Sequence, residues 1–367
     1  MRWHRSRAIF LPRITIDPAL RAALLLACLV GCLGTVAAHG QAASVAETSL
    51  PSAGGGSELD VAYSTSEARL LAEARRGEVD GRWLFEAALA ADGVVEPAAL
   101  ADYRRRWQAW HESLRDGVRE GSSARDRARA LFTLLHREAL VGGYVADATG
   151  LRSALGSTGY NCVSATILFN SLAVMVGLNV VAVETPEHVY SVVRSSEGEF
   201  AVEMTCRRWF ELTAAAQREA LAERSSDTGS RPMSPPETNI RNARRELSPA
   251  GLVALVYYNA GIDRLSRGEF RESLAANLKA LAFDPANTLA HGNLLATLNN
   301  WALNRYESRD FATAARLIEY GRVIAPGHRP YQANLAAIYE RWSEQLLAEG
   351  KPGQARAIAA LSRRVAP

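Results

Sequence analysis

The chain is poor in lysine and cysteine and carries little net charge. Of its 42 basic residues only Lys279 and Lys351 are lysine. Alongside abundant alanine, this arginine bias reads as base composition rather than a functional signal. Of four cysteines, Cys28 and Cys32 fall in an N-terminal leader. Cys162 and Cys206 are left, too few for a disulfide framework, although one bridge suits an oxidising compartment. The formal charge is +3, but residues 1–38 hold five arginines against one aspartate, so the remainder is slightly acidic. That excludes a basic nucleic-acid-binding surface. Long apolar runs are also missing, apart from Ala22 to Ala38, which is at the short limit for crossing a bilayer. What is there, 48% hydrophobic and 22% charged residues, is a globular composition, and the length suffices for two domains.

Arg2, Arg5, Arg7, Arg13 and Arg21 precede the apolar run, which closes on small residues. Basic leader, apolar stretch and small-residue exit make a secretory signal of residues 1–38. Val36-Ala37-Ala38 suits a signal peptidase, and Leu29-Val30-Gly31-Cys32 suits lipidation of Cys32; both stay open. The expected location is extracytoplasmic: periplasm, cell envelope or secreted. A membrane is touched only through this segment or its lipid.

Residues 39–62, rich in Ala, Ser and Gly, read as a linker. Helical patterns then run over Ser66 to Arg76 with Ser64 or Ser66 as a cap, Trp83 to Ala91, Pro97 to about Arg119, and onward from a cap at Ser122 or Ser123. From Cys162 an apolar segment reaches Gly177 and predicts a buried helix. Three Val-rich stretches follow, Leu178 to Glu184, His188 to Arg194 and Phe200 to Met204, which predict a three-stranded antiparallel meander. Residues 63–224 are thus expected to form one domain and 225–246 a linker. The runs Arg104 to Arg106 and Arg244-Arg245 read as solvated helix faces.

The last third, residues 247–367, repeats. Pro285, Pro326 and Pro367 are spaced 41 residues apart, as are Phe270 and Phe311, and Asn259 and Asn300. Gly261, Gly268, Phe270, Ala276, Ala280 and Pro285 resemble the packing positions of a tetratricopeptide repeat, lengthened by two helical turns that are expected in the first helix of each pair. About three such units are expected, the minimum for a stack. By that resemblance this region binds a protein or peptide partner.

Chemistry is concentrated in the middle. Cys162 opens the buried helix, where unpaired amides and the helix dipole favour a thiolate. His188 begins the second strand and Glu203 sits on the third. Alternation puts Glu203 with Ala201 and Thr205, and Tyr190 with His188. Nucleophile, base and orienting carboxylate then face one another across a ladder. The Cys162 amide is half of an oxyanion hole. Asn161, Tyr160 and Tyr190 are the candidates for its second donor or for supporting contacts. Cys206 reads as a packed thiol, and Trp209 and Phe210 as core. No metal or cofactor is implied.

Tyr160-Asn161-Cys162-Val163-Ser164-Ala165, Pro186-Glu187-His188-Val189 and Val202-Glu203-Met204-Thr205 together resemble the transglutaminase-like superfamily, in its bacterial branch with C-terminal tetratricopeptide repeats. The resemblance implies an α+β papain-like domain followed by an all-α solenoid. It also implies Cys162, His188 and Glu203 as a triad for acyl transfer or hydrolysis at peptide or isopeptide bonds. Glu203 stands where Asp is commoner in that superfamily, and Glu187 where this branch often has Gly. The competing expectation is a catalytically silent scaffold that binds proteins.

Overall fold

The computed structural model describes residue 59 and residues 61–117, 121–186, 188–226 and 244–365. The leader with Cys32, the linker at 39–62 apart from its last positions, Glu187, and most of the stretch 225–246 lie outside the described residues.

Helices α1 (Thr65–Arg76), α2 (Gly81–Ala91), α3 (Pro97–Gly117) and α4 (Ala124–Glu138) come first. Each begins at a residue built for it. Ser64 and Glu67 satisfy one another's amides in a capping box. Asp80 accepts the Trp83 amide at 2.6 Å, Pro97 occupies the first turn of α3, and Ser123 caps α4. The short α5 (Leu151–Leu155) leads to α6 (Cys162–Ala173), buried at every position after its first. Strands β1 (Asn179–Thr185), β2 (His188–Ser195) and β3 (Gly198–Val202) follow, then α7 (Ala214–Ser226) and β4 (Arg245–Leu247). The remainder is three helix pairs: α8 (Pro249–Ser266) with α9 (Phe270–Phe283), α10 (Thr288–Glu307) with α11 (Phe311–Ile324), and α12 (Arg329–Ala348) with α13 (Pro352–Val365). First helices run to 18 or 20 residues and second helices to 14.

The sheet has strand order β3-β2-β1-β4, antiparallel throughout. Register places Thr185 opposite His188, Glu184 opposite Arg245, and Ser191 opposite Val202. One face packs on α6, with Ala182, Val193 and Val202 fully buried.

Several expectations need correction. The fold class is not the expected α+β papain-like domain with an appended solenoid. Of the described residues 68% are helical, and they carry one small four-stranded sheet. The meander gains a fourth strand from the end of the supposed linker, so Arg244-Arg245 is a strand entry and not a helix face. Nor do the compact units part at residue 247. One comprises residues 61–260 with 276–290, and the other 261–275 with everything from 291.

The reason for that division is the core of the first unit. Leu252, Val253, Val256 and Tyr257 of α8 and Phe283 of α9 belong to the same buried cluster as Phe85, Leu89 and Phe169. Glu67 of α1 receives the Tyr257 hydroxyl and the Lys279 ammonium, both at 2.7 Å. Arg245 joins Glu184 of β1 to Asp284 just after α9. In the second unit, Phe270 stacks on Trp301 and the Ser273 hydroxyl donates to the Gly261 carbonyl at 2.8 Å. Among the described residues no helix is long and apolar enough to cross a membrane.

Candidate active site

Cys162 is the first residue of α6, and its place is fixed from both sides. Upstream, the Tyr160 amide donates to Gly143 and its carbonyl accepts from Val145, a short parallel bridge. Gly159 enters this bridge with φ +148°, and a Cβ there would meet Val145 at 2.5 Å, so only glycine fits. Asn161 caps the helix: its side-chain oxygen accepts the amides of Val163 and Ser164, and the Ser164 hydroxyl accepts the Asn161 amide. Both hydrogens of the Asn161 carboxamide are spent, on the Ala146 carbonyl at 2.8 Å and the Thr149 hydroxyl at 2.9 Å. Asn161 therefore positions Cys162 and has no donor left for an oxyanion. The cap leaves the amide of Cys162 itself.

Downstream, α6 is keyed to the strand that carries the histidine. Thr166 donates to the Val189 carbonyl at 3.3 Å, and Asn170 accepts the Ser191 hydroxyl at 2.6 Å. Residues 162, 166 and 170 lie four apart on one helix face, and 189 and 191 lie two apart on the strand. These two bonds set the helix against β2 so that Cys162 meets His188. The sequence reading did not single out Thr166, Asn170 or Ser191. Their signal was polar residues at i, i+4 in an otherwise apolar helix.

Nε2 of the His188 imidazole is hydrogen-bonded to the Glu203 carboxylate, and the Cys162 thiol lies close enough to act on the same ring. The geometry differs from a directly opposed cross-strand pair. The β2–β3 ladder stops at Ser191–Val202; continued, it would set Glu203 opposite Tyr190 and Thr205 opposite His188. Glu203 is thus the diagonal neighbour of His188 on the same face, a separation that long side chains span. Its second carboxylate oxygen accepts the Thr205 amide at 2.8 Å and the Thr205 hydroxyl at 2.6 Å. Glu203 is only 1% exposed, so it is not a solvated outer-face carboxylate. Thr205 was also not singled out as a site residue; a Glu-x-Thr spacing is the pattern of such side-chain-to-backbone turns.

Burial works against a charged His188, but the hydrogen bonds to Cys162 and Glu203 and their charges outweigh it, and the ring is pushed up to about 10. Tyr190 stacks beside it, ring centres 6.4 Å apart, and burial raises its phenol. Tyr160 is buried, with its ring edge-on to His136 at 6.2 Å. His136 is pushed down to about 4, chiefly by burial and then by the charge of Arg207. Trp209 and Gln217 brace the turn after Glu203: the Trp209 indole donates to Ala201 at 2.8 Å, and the Gln217 amide to Trp209 at 2.7 Å. Cys206 is a free, half-buried thiol. Among the described residues no group of three His, Cys, Asp or Glu side chains is arranged to hold a metal ion.

No known family matches this sequence, and no curated protein matches it. Among solved structures it is similar to menin, in a crystal structure that reveals menin's binding site for the Mixed Lineage Leukemia protein. Identity is 11%, the TM-score is 0.41, and the alignment covers 82% of this chain and 70% of menin. A likeness at that level carries no argument about fold or activity.

Proposed function

We propose that this protein performs cysteine-dependent acyl transfer or hydrolysis on amide bonds of peptides. The observation that supports the reading is the imidazole of His188, held between a half-buried thiol and a buried carboxylate. An imidazolium kept charged beside Cys162 favours its thiolate, and the amides and dipole at the start of α6 act the same way. The sulfur attacks the amide carbonyl carbon and forms a C–S bond. The carbonyl electrons move to oxygen, beside the Cys162 amide. As the C–N bond breaks, His188 gives its proton to the departing amine. Water or a second amine then attacks the thioester, its proton returns to His188, and the thiolate leaves. Glu203 fixes the ring beside the sulfur throughout. The motif likeness to the transglutaminase-like superfamily supports this chemistry, and the secretory leader supports action outside the cytoplasm.

A second reading, a silent centre in a protein-binding scaffold, is favoured by one feature of the second unit. Asn299, Leu303, Tyr306, Asn334 and Ile338 line a shallow, mostly apolar cleft between helices of the repeat region, the kind of surface on which a peptide can lie. The two readings part on thiol activation. In Cys206→Ser protein, iodoacetamide is expected to label Cys162 rapidly well below the ordinary thiol range (about pH 8.5). His188→Ala should slow that labelling at least about tenfold. Labelling that follows an ordinary thiol in both proteins would leave only the scaffold.

A further inference from the structure

The sheet places an exposed cation, Arg244, at the edge of this centre. Thr185 of β1 pairs with His188 on one side. On the other side, one step past the last pair, Glu184–Arg245, it faces Arg244. Arg244, Thr185 and His188 thus form a row across three strands, and partners in a row project to the same face. The side chain follows that geometry: the Arg244 guanidinium lies over the Tyr190 ring, 5.9 Å from its centre, and Tyr190 stacks on His188. The neighbouring acids among the described residues are already engaged. Glu184 is held by Arg245, Glu246 by Arg194, and Glu203 by His188. Arg244 is exposed and, among the described residues, has no carboxylate partner.

We propose that Arg244, backed by the Tyr190 ring, is a carboxylate subsite of the Cys162 centre, selecting peptides that carry an acidic group near the bond attacked. Two strand spacings separate its row position from His188, about 10 Å. That is the length of about three extended residues, which sets where the acid stands. The guanidinium offers a planar fork suited to a carboxylate, with the Tyr190 ring face beneath it. This inference rests on the reading of Cys162 as an activated thiol.

Three thiol-alkylating peptides test it on the full-length Cys206→Ser chain: N-iodoacetyl-glycyl-glutamate amide, its glutamine amide, and the glutamine peptide with a free C-terminal carboxylate. The readout is the ratio of alkylation rates at Cys162, which cancels any change in thiol reactivity. The glutamate amide should react about tenfold faster than the glutamine amide, the effect of one charge-assisted hydrogen bond. Arg244→Gln should bring the ratio to near one, and Arg244→Lys should restore part of it. If the free-acid peptide is the faster of the two acids, the carboxylate recognised is a chain terminus, and the subsite stands. Neither acid reacting faster than the glutamine amide, or a preference that survives Arg244→Gln, overturns the subsite while leaving His188-dependent labelling intact. Labelling indifferent to His188 instead removes the activated thiol, and this inference with it.

Discussion

Glu203 reaches His188 along a diagonal, and that makes its length matter. Aspartate would fall one methylene short of the imidazole while remaining close to Thr205. Glu203→Asp is therefore expected to lower the pH at which His188 loses its proton, read by NMR titration of the ring, and to slow Cys162 labelling at neutral pH. The two histidines with opposite shifts also shape stability. His188 is raised above its unfolded value of about 6.5, so its contribution is complete below that pH and fades as pH climbs toward about 10. His136 is lowered, so its contribution is complete above about 6.5 and fades toward about 4. Denaturant midpoints should fall on both sides of neutrality. His136→Phe should flatten the acid limb, and His188→Gln the alkaline one. At this scale the sequence was legible where one residue type carries the chemistry. Cys162, His188 and Glu203, read from the sequence as nucleophile, base and orienting carboxylate, are brought together in the structure. The residues that hold them did not. A Ser, Thr or Asn in a helix is ambiguous until the strand beside it is known.

The starts of elements were readable for a physical reason, since caps and prolines act locally. Ser64, Pro97 and the pair Ser122/Ser123 marked helix starts that the structure places within a residue or two. The strand entry at Arg245 was not readable, because three residues amid Ser, Pro and Arg carry no alternation and form a strand only by pairing with β1. The 41-residue spacing has a local consequence that the structure adds. The turns inside the helix pairs use a left-handed residue at 268, 309 and 350, with φ of 74°, 63° and 71°. Two of these are glycine and the middle one is Arg309. A side chain in that conformation costs about 1–2 kcal/mol. Arg309→Gly should raise the melting temperature by a few degrees. A drop in a thermal melt would mean that the exposed Arg309 makes a compensating contact.

The first compact unit recruits helices from far along the chain, which no local pattern announces. The reading by composition ended the first domain before residue 247, because residues 225–246 look like a linker and the repeats begin behind them. Burial decides otherwise. A fragment ending at residue 246 would lose Leu252, Val253, Val256, Tyr257 and Phe283 from its core and leave Glu67 without the Tyr257 hydroxyl or Lys279. Each large apolar side chain removed costs about 2–5 kcal/mol, together more than a domain's net stability. Residues 61–246 should therefore be insoluble or molten, while 61–290 should give a cooperative melt and dispersed NMR signals. The bond between Lys279 and Glu67 reaches further than folding. The chain has two lysines, and this one is sequestered in an ion pair, with its side chain 15% exposed. Only Lys351, half exposed beside Glu349, offers an ε-amine to solvent. Under the proposed chemistry, an acyl group passed to an amine would find a single solvent-facing lysine on this chain, so self-acylation should be slight and confined to Lys351.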